Sequence, residues 1–277
     1  MTEQQSKATN QIRVAIAGLG AIGQSLARTL SSGQVPGVTL AAVSAKNHDK
    51  ARAFVQTLSH DVPVVTVEQL EPLADLVVEC APAALLPEIV SPFLRRGKSA
   101  VVLSVGALLF HDELRTLAAE HGGTIVVPTG ALIGLDAVIA AAEGTISDVK
   151  MVTRKPPAGL KGAPHLEQNK INVDGLVEPL KVFEGNARDA ARGFPANLNV
   201  VVALALAGVG PDKTALEIWA DPTVTRNTHT IHVDSDAARF TMTIENIPSD
   251  NPKTGRIVAQ SVVALLRKMR ASLRVGT

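Results

Sequence analysis

The run Gly18-Leu19-Gly20-Ala21-Ile22-Gly23 constrains this 277-residue chain more than any other stretch. It directly follows the apolar segment Arg13-Val14-Ala15-Ile16-Ala17 and opens Ile22–Leu30, whose apolar residues recur at helical spacing. A glycine-rich turn between a strand and a helix is the setting that the dinucleotide-binding fingerprint requires. Gly18 permits the tight turn, Gly20 lets the backbone approach a pyrophosphate, and Gly23 lets helix and strand pack closely, with the helix N-terminus facing the phosphate charge. A fortuitous glycine turn is the bland alternative, and it gives no reason for the flanking strand and helix.

The rest of the first half fits that start. Ile12–Ala17, Val38–Ser44, Val62–Val65, Leu76–Cys80, Ala100–Val105 and Thr124–Val127 are apolar and β-rich, as strands buried on both faces of a parallel sheet should be. Ile22–Leu30, Asp49–Leu58, Ala84–Leu94 and Asp112–Ala119 carry helical periodicity between them, giving successive βαβ units. Pro82 and Pro87 fall early in one of these helices, where a missing N–H costs least.

After Pro128 the rhythm changes. Gly134–Glu143 reads as a helix, Val149–Thr153 as a strand, Pro156–Glu167 as a loop and Ala196–Ala207 as an apolar helix. Ala215–Ala220, Thr228–Val233 and Phe240–Glu245 read as antiparallel strands, and Pro252–Met269 as a final helix. The expected fold is therefore α/β: an N-terminal Rossmann domain with a doubly wound parallel sheet over 12–127, completed by the C-terminal helix 252–270. A second, α+β domain with a mixed sheet would occupy 128–251 and carry substrate binding and oligomerisation.

Composition narrows the function. The chain has 27 basic and 26 acidic residues, a net charge of +1, so it offers no general attraction for nucleic acid or an anionic membrane. No apolar run approaches the ~18 residues of a membrane span, and the polar stretch Met1–Gln11 lacks the apolar core of a secretory signal and reads as a disordered lead-in. Cys80 is the only cysteine, which excludes an internal disulfide and a thiolate metal cluster and suits a reducing cytoplasm. There is no tyrosine, so neither base-stacking platforms nor a tyrosine general acid is expected. The expected partner is a small molecule, and no metal is expected.

A carboxylate for the ribose hydroxyls normally ends the second strand in NAD enzymes. Here the strand runs Ala42-Val43-Ser44-Ala45-Lys46-Asn47. Ser44 and Lys46 either hold a 2′-phosphate or, for Lys46, simply meet solvent; dual NAD/NADP use or a preference for NADP is expected. Ala21 and Ile22 in the glycine turn, and Cys80 and Ala81 at the end of another sheet strand, join the cofactor-contacting set.

Hydride transfer also needs a group that manages a proton. His48, His60, His111 and His121 fall on helices or turns of the nucleotide half and are expected in solvent. His229 lies in the polar stretch Asp221-Pro222-Thr223-Val224-Thr225-Arg226-Asn227-Thr228-His229, leading from a turn into a strand, where scaffolds present reacting groups. Its alternatives are catalytic or structural. His232 projects from the opposite face of that strand, which disfavours a histidine pair on a metal. Asn197 reads as a helix N-cap or a substrate contact. Asn199 carries an amide able to bond the cofactor, Gly130-Ala131 leaves room for a nicotinamide ring, and Asp136 and Asp221 read as helix-start and turn residues.

Together GLGAIG at 18–23, VPTGALIGLDA at 127–137, TRKPP at 153–157, FPANLNV at 194–200 and DPTVTRNTHTI at 221–231 resemble the L-aspartate dehydrogenase family, over nearly the whole chain. The resemblance implies that His229 is catalytic and that Ala131 and Asn199 contact NAD or NADP. It implies hydride transfer from the α-carbon of L-aspartate to nicotinamide, giving iminosuccinate and then oxaloacetate and ammonia, reversibly. It further implies a homodimer or higher homo-oligomer and, in some members, a role in pyridine nucleotide biosynthesis. A substrate with two carboxylates calls for cations; Arg226 with Asn227, and Arg154, Lys155 and Lys161, are the candidates, and their ranking stays open at this level. Dihydrodipicolinate reductases would need a His-His-Lys segment and sugar oxidoreductases of the glucose-fructose type a Glu-Lys-Pro, and neither occurs. A non-catalytic dinucleotide sensor is the alternative from another class.

Overall fold

The computed structural model describes residues 11–194, 198–248 and 255–277. They divide into two compact units: the chain through Pro128 together with Ala259–Arg274, and Thr129–Val258 together with Val275–Thr277.

In the first unit β1 (Ile12–Ala17), β2 (Val38–Ser44), β3 (Leu76–Glu79), β4 (Ser99–Val102) and β5 (Thr124–Val126) form a parallel sheet in the order β2-β1-β3-β4-β5. The order reverses between β1 and β3, the switch point outside whose carboxyl ends ligands bind in open α/β sheets. Helices α1 (Ala21–Ser31), α2 (His48–Val55), α3 (Leu86–Arg95) and α4 (Asp112–His121) connect them. Val62–Val65, expected as a strand, makes only a parallel bridge through Val64 to Val43. Pro63 has no N–H to donate, so the ladder beside β2 stops after its carbonyl and the Val65 N–H have paired with Val43. Counting that bridge, the order becomes the 3-2-1-4-5-6 of a dinucleotide-binding sheet. The strand expected over Ala100–Val105 ends at Val102, and a 3₁₀ segment runs over Val105–Phe110.

A helix from the far end of the chain completes this unit. In α9 (Ile257–Arg270) the inward residues Ala259, Val262 and Leu266 join one core with Val14, Ile16, Leu26, Leu30, Val38 and Leu76. Val262 and Leu266 are fully buried, worth about 1.5–3 kcal/mol each. Pro252, placed in this helix from sequence, lies outside the described residues.

In the second unit, beyond α5 (Leu135–Ala142), the long strand β6 (Ile146–Lys155) lies at the centre of a mixed sheet. With β7 (Leu180–Asn186), β8 (Ala215–Ala220), β9 (Asn227–Ser235) and β10 (Arg239–Asn246) the order is β10-β9-β6-β8-β7. β9 and β10 form an antiparallel hairpin, but β8 runs parallel to β6, correcting the expectation that it is one of three antiparallel strands. β7 was not foreseen, and the expected loop 156–167 contains a 3₁₀ turn and most of the short helix α6 (Pro164–Gln168), each begun by proline. Helix α7 (Ala187–Gly193) follows β7, its first turn capped by the Asn186 side chain on the Asp189 N–H. Helix α8 (Asn199–Ala207) is apolar all round, with Val201, Val202, Ala203, Leu204 and Ala205 buried, as an interior helix must be.

Candidate active site

The glycine turn between β1 and α1 is built as its sequence requires. Gly18 has φ +105°, open to glycine alone, and donates its N–H to the Ser44 carbonyl at 2.7 Å. A Cβ there would come 2.5 Å from the Cys80 carbonyl oxygen, so the ends of β1 and β3 touch across this position. At Gly23 an added Cβ would collide with the Gly18 carbonyl oxygen, so the helix rests directly on the turn. Gly20 differs: it caps α1 with no side-chain hydrogen bond, and an added Cβ would meet nothing within 4 Å. Open space in front of uncapped helical N–H groups is an anion cradle, and it fits the pyrophosphate of a dinucleotide. Ala21 and Ile22 form the first turn behind it.

Glu79, which the sequence reading passed over as strand interior, braces the neighbouring loops. It is fully buried and accepts hydrogen bonds from the N–H groups of Ala81 (2.9 Å), Leu103 (3.2 Å) and Ser104 (2.8 Å) and from the Ser104 hydroxyl (3.0 Å). Burial raises its pKa above the usual carboxylate range, against the pull of these donors. Cys80 and Ala81 are thus held by the residue before them; burial, then the Glu79 charge, pushes the Cys80 thiol well up, which leaves it inert. An acid closing an otherwise apolar strand was the available signal. At the end of β2, Ser44 is buried and Lys46 exposed, while Asn47 caps α2 by accepting from the Lys50 N–H at 2.9 Å.

The second unit holds the candidate proton-handling group. On β6 the residues facing inward are Val149, Met151, Thr153 and Lys155, all buried. Thr153 pairs directly across from His229 on β9, so these side chains share one face, and Asn227, two residues before His229, shares it too. The face is apolar along most of its length and turns polar at this end. His229 is 3% exposed and its Nδ1 lies 3.1 Å from the Thr153 hydroxyl. A hydroxyl both donates and accepts, so Thr153 can hold either tautomer and leaves Nε2 as the nitrogen for a substrate. Burial, reinforced by the positive charge of Lys155, lowers the His229 pKa from its ordinary 6.5 to about 3. The imidazole is therefore neutral across the physiological range, not poised near neutrality as a free imidazole is. Lys155 is 4% exposed, and burial lowers its pKa to about 8.

The other cations proposed from sequence are elsewhere. Arg154 points from the opposite face, stacked 4.8 Å over the Trp219 ring and paired with Asp221 at 2.9 Å. Burial would raise the Asp221 carboxyl, but hydrogen bonds from Thr223 and Arg154 hold it below the usual range, and it closes the turn before Thr223 as expected. Lys161 pairs with Asp174. Arg226 is exposed and lies 4.0 Å from Glu245, a residue of the outer face, so it does not join the His229 cluster. His232 points outward to the Thr241 hydroxyl at 3.0 Å.

Ala131 is held from the same sheet: the buried Asn246 side chain donates to its carbonyl at 3.0 Å, and Gly130, at φ +61°, makes the turn before it. Asn199 is the first residue of α8, rather than one inside it, and is exposed. Asn197, with Pro195 and Ala196, lies outside the described residues. Among the described residues no group of three or more His, Cys, Asp or Glu could hold a metal. Nor is any helix long and apolar enough to cross a membrane.

Residues 18–128 match the family described as the NAD binding domain of homoserine dehydrogenase, and residues 136–269 that described as the C-terminal part of aspartate dehydrogenase. The chain is 61% identical to L-aspartate dehydrogenase 3 of Bordetella bronchiseptica over 96% of its own length and 98% of the relative's. It is 39% identical to the L-aspartate dehydrogenase of Methanocella arvoryzae over 96% of its own length and 99% of that chain. Among solved structures, aspartate dehydrogenase from Thermotoga maritima matches with a TM-score of 0.72 at 24% identity, over 96% of this chain and 100% of that one, a likeness of fold.

Proposed function

Because the chain belongs to the L-aspartate dehydrogenase family, we propose that it oxidises L-aspartate to iminosuccinate with NAD or NADP. The product then hydrolyses to oxaloacetate and ammonia, and the sequence of steps is reversible. The observation that carries this reading is the buried imidazole of His229, oriented by Thr153 at the polar end of the inner sheet face. The bound nicotinamide supplies the hydride acceptor, or the donor in the reverse direction. Oxidation at the α-carbon removes a hydride from carbon and a proton from the substrate amine. His229, neutral before substrate arrives, takes that proton at Nε2, releases it to solvent, and in its neutral form again serves the attacking water as base. In the first unit the Gly18–Gly23 turn would hold the pyrophosphate, with Cys80 and Ala81 as further cofactor contacts; in the second, Ala131 and Asn199 are the residues offered to the cofactor. Asn227, on the face of His229, would contact substrate. A non-catalytic sensor gives no reason to bury an ammonium and an imidazole on one sheet face. We include a cytoplasmic homodimer or higher homo-oligomer in the proposal; sedimentation showing a single copy at assay concentration would remove the assembly.

The test is a spectrophotometric assay supplying oxaloacetate, ammonium and either NADH or NADPH, then L-aspartate with the oxidised cofactors. Ammonium-dependent oxidation of the cofactor is the expected result; tight cofactor binding without turnover would overturn the substrate. In the same assay Lys46→Asp should weaken NADP at least about tenfold more than NAD, because it sets an acid where a 2′-phosphate would lie. Equal losses for the two would remove Lys46 from nucleotide selection.

A further inference from the structure

Of the cations that the sequence offers for an acidic substrate, Lys155 alone lies on the face of His229. The pleat explains the sorting. Adjacent residues of a strand point to opposite faces, so Arg154 goes outward to Asp221 and Trp219 while Lys155 goes inward beside Thr153. Thr153 sits directly opposite His229, which makes Lys155 a diagonal neighbour of His229, within reach for a long side chain. Lys155 is also the last residue of β6: its carbonyl accepts the Asp221 N–H at 2.8 Å, and Pro156 follows with no N–H to extend the ladder. The ammonium therefore stands where the sheet face ends.

Burying an ammonium is costly, and fixing it next to an imidazole that its charge discourages from protonating adds to the cost. An anion arriving at this end of the sheet face changes both terms. Resting on the dehydrogenase reading above, we propose that Lys155 receives a carboxylate of the substrate, and that this contact makes His229 a stronger base. A carboxylate against the ammonium offsets the charge that depresses His229, so the proton acceptor strengthens only when a substrate of the right charge is in place. The substrate class is a small carboxylic acid, and the dicarboxylic acids that aspartate and oxaloacetate represent fit a site with this cation beside the proton-handling group.

The experiment compares the full-length protein with Lys155→Met and Lys155→Arg. Methionine fills the stem's volume without the charge, and unchanged or higher thermal stability shows that the variant folds. With wild type active, Lys155→Met should raise KM for L-aspartate and for oxaloacetate by about 10²-fold, with the nicotinamide KM unchanged and Lys155→Arg recovering part of the loss. Unchanged KM in the folded methionine variant overturns the role of Lys155 and leaves the dehydrogenase reading intact. A wild type inactive on both substrates overturns the dehydrogenase reading instead, and thermal unfolding with succinate then decides for Lys155. Stabilisation of wild type but not of Lys155→Met supports the carboxylate site; equal stabilisation, or none, overturns it.

Discussion

His229→Ala should lower kcat for L-aspartate oxidation by about 10²–10³-fold while leaving NADH affinity nearly unchanged. Proton removal from the amine accompanies hydride loss from the α-carbon, and of the groups described on that face His229 is the one whose basic nitrogen lone pair stays unprotonated across the physiological range. The variant also leaves the Thr153 hydroxyl without its partner in a buried place, a penalty of about 1–3 kcal/mol. His229→Gln is therefore made beside it: an amide can still meet Thr153 but cannot accept a proton near neutral pH. Both variants should fold and bind nucleotide, and both should be slow. Normal kcat in the glutamine variant would remove His229 from the chemistry. The pH profile checks the same point. With the folded pKa depressed to about 3, His229 stays neutral as pH falls through 6.5, so kcat/KM should show no acid limb from this group near 6.5.

The second large effect is expected at Gly23. An alanine there drives its Cβ into the Gly18 carbonyl oxygen, and the only relief is to lift α1 off β1. Such overpacking costs about 1–3 kcal/mol, and it also moves the helix N-terminus that would face the phosphates. Gly23→Ala should lower the thermal midpoint and weaken NADH binding by at least about tenfold. Gly20→Ala separates the two effects, since its Cβ meets nothing of the protein within 4 Å. Stability should hold in that variant while NADH binding weakens, because in the proposed site only the cofactor would fill that space. Fluorescence titration of NADH and thermal unfolding read both quantities. Unaltered NADH affinity in Gly20→Ala would show that the pyrophosphate does not approach this turn.

The nucleotide half was legible because parallel strands buried on both faces are written as apolar runs. Val14, Ile16, Val38, Leu40, Leu76 and Val78 announce themselves in sequence and are the core in space. The exceptions have local causes, as where Pro63 starves a strand of donors or Glu79 draws the N–H groups after β4 toward itself. The second half was harder. β7 buries only Val182, while its other apolar residues, Leu180 and Phe183, are exposed and half-buried, so no alternation marks it. The parallel pairing of β8 with β6 joins segments some 65 positions apart, beyond anything a local pattern reports. At the candidate site the motif around His229 was readable, but its electrostatics were not: burial is a property of the packed sheet, and it turns an ordinary histidine into a neutral one. Lys155 is among the named cations, yet the strand expected over Val149–Thr153 stops short of it, because the charged pair Arg154-Lys155 and the prolines after it mask the strand. Continuing the period of two from Val149 through Met151 and Thr153 would have put it inward.

The nucleotide unit is not a continuous stretch of chain. Its core stays open at the place of Val262 and Leu266 until the last part of the protein has been synthesised, so the fingerprint turn near the N-terminus emerges from the ribosome long before its supporting core can close. The usual order, in which an N-terminal domain folds while the rest is still being made, is denied to this one. Stalled chains released just before Val258 should be cut by protease in their first half, whereas chains carrying α9 should resist; equal resistance would mean that the sheet closes without its last helix.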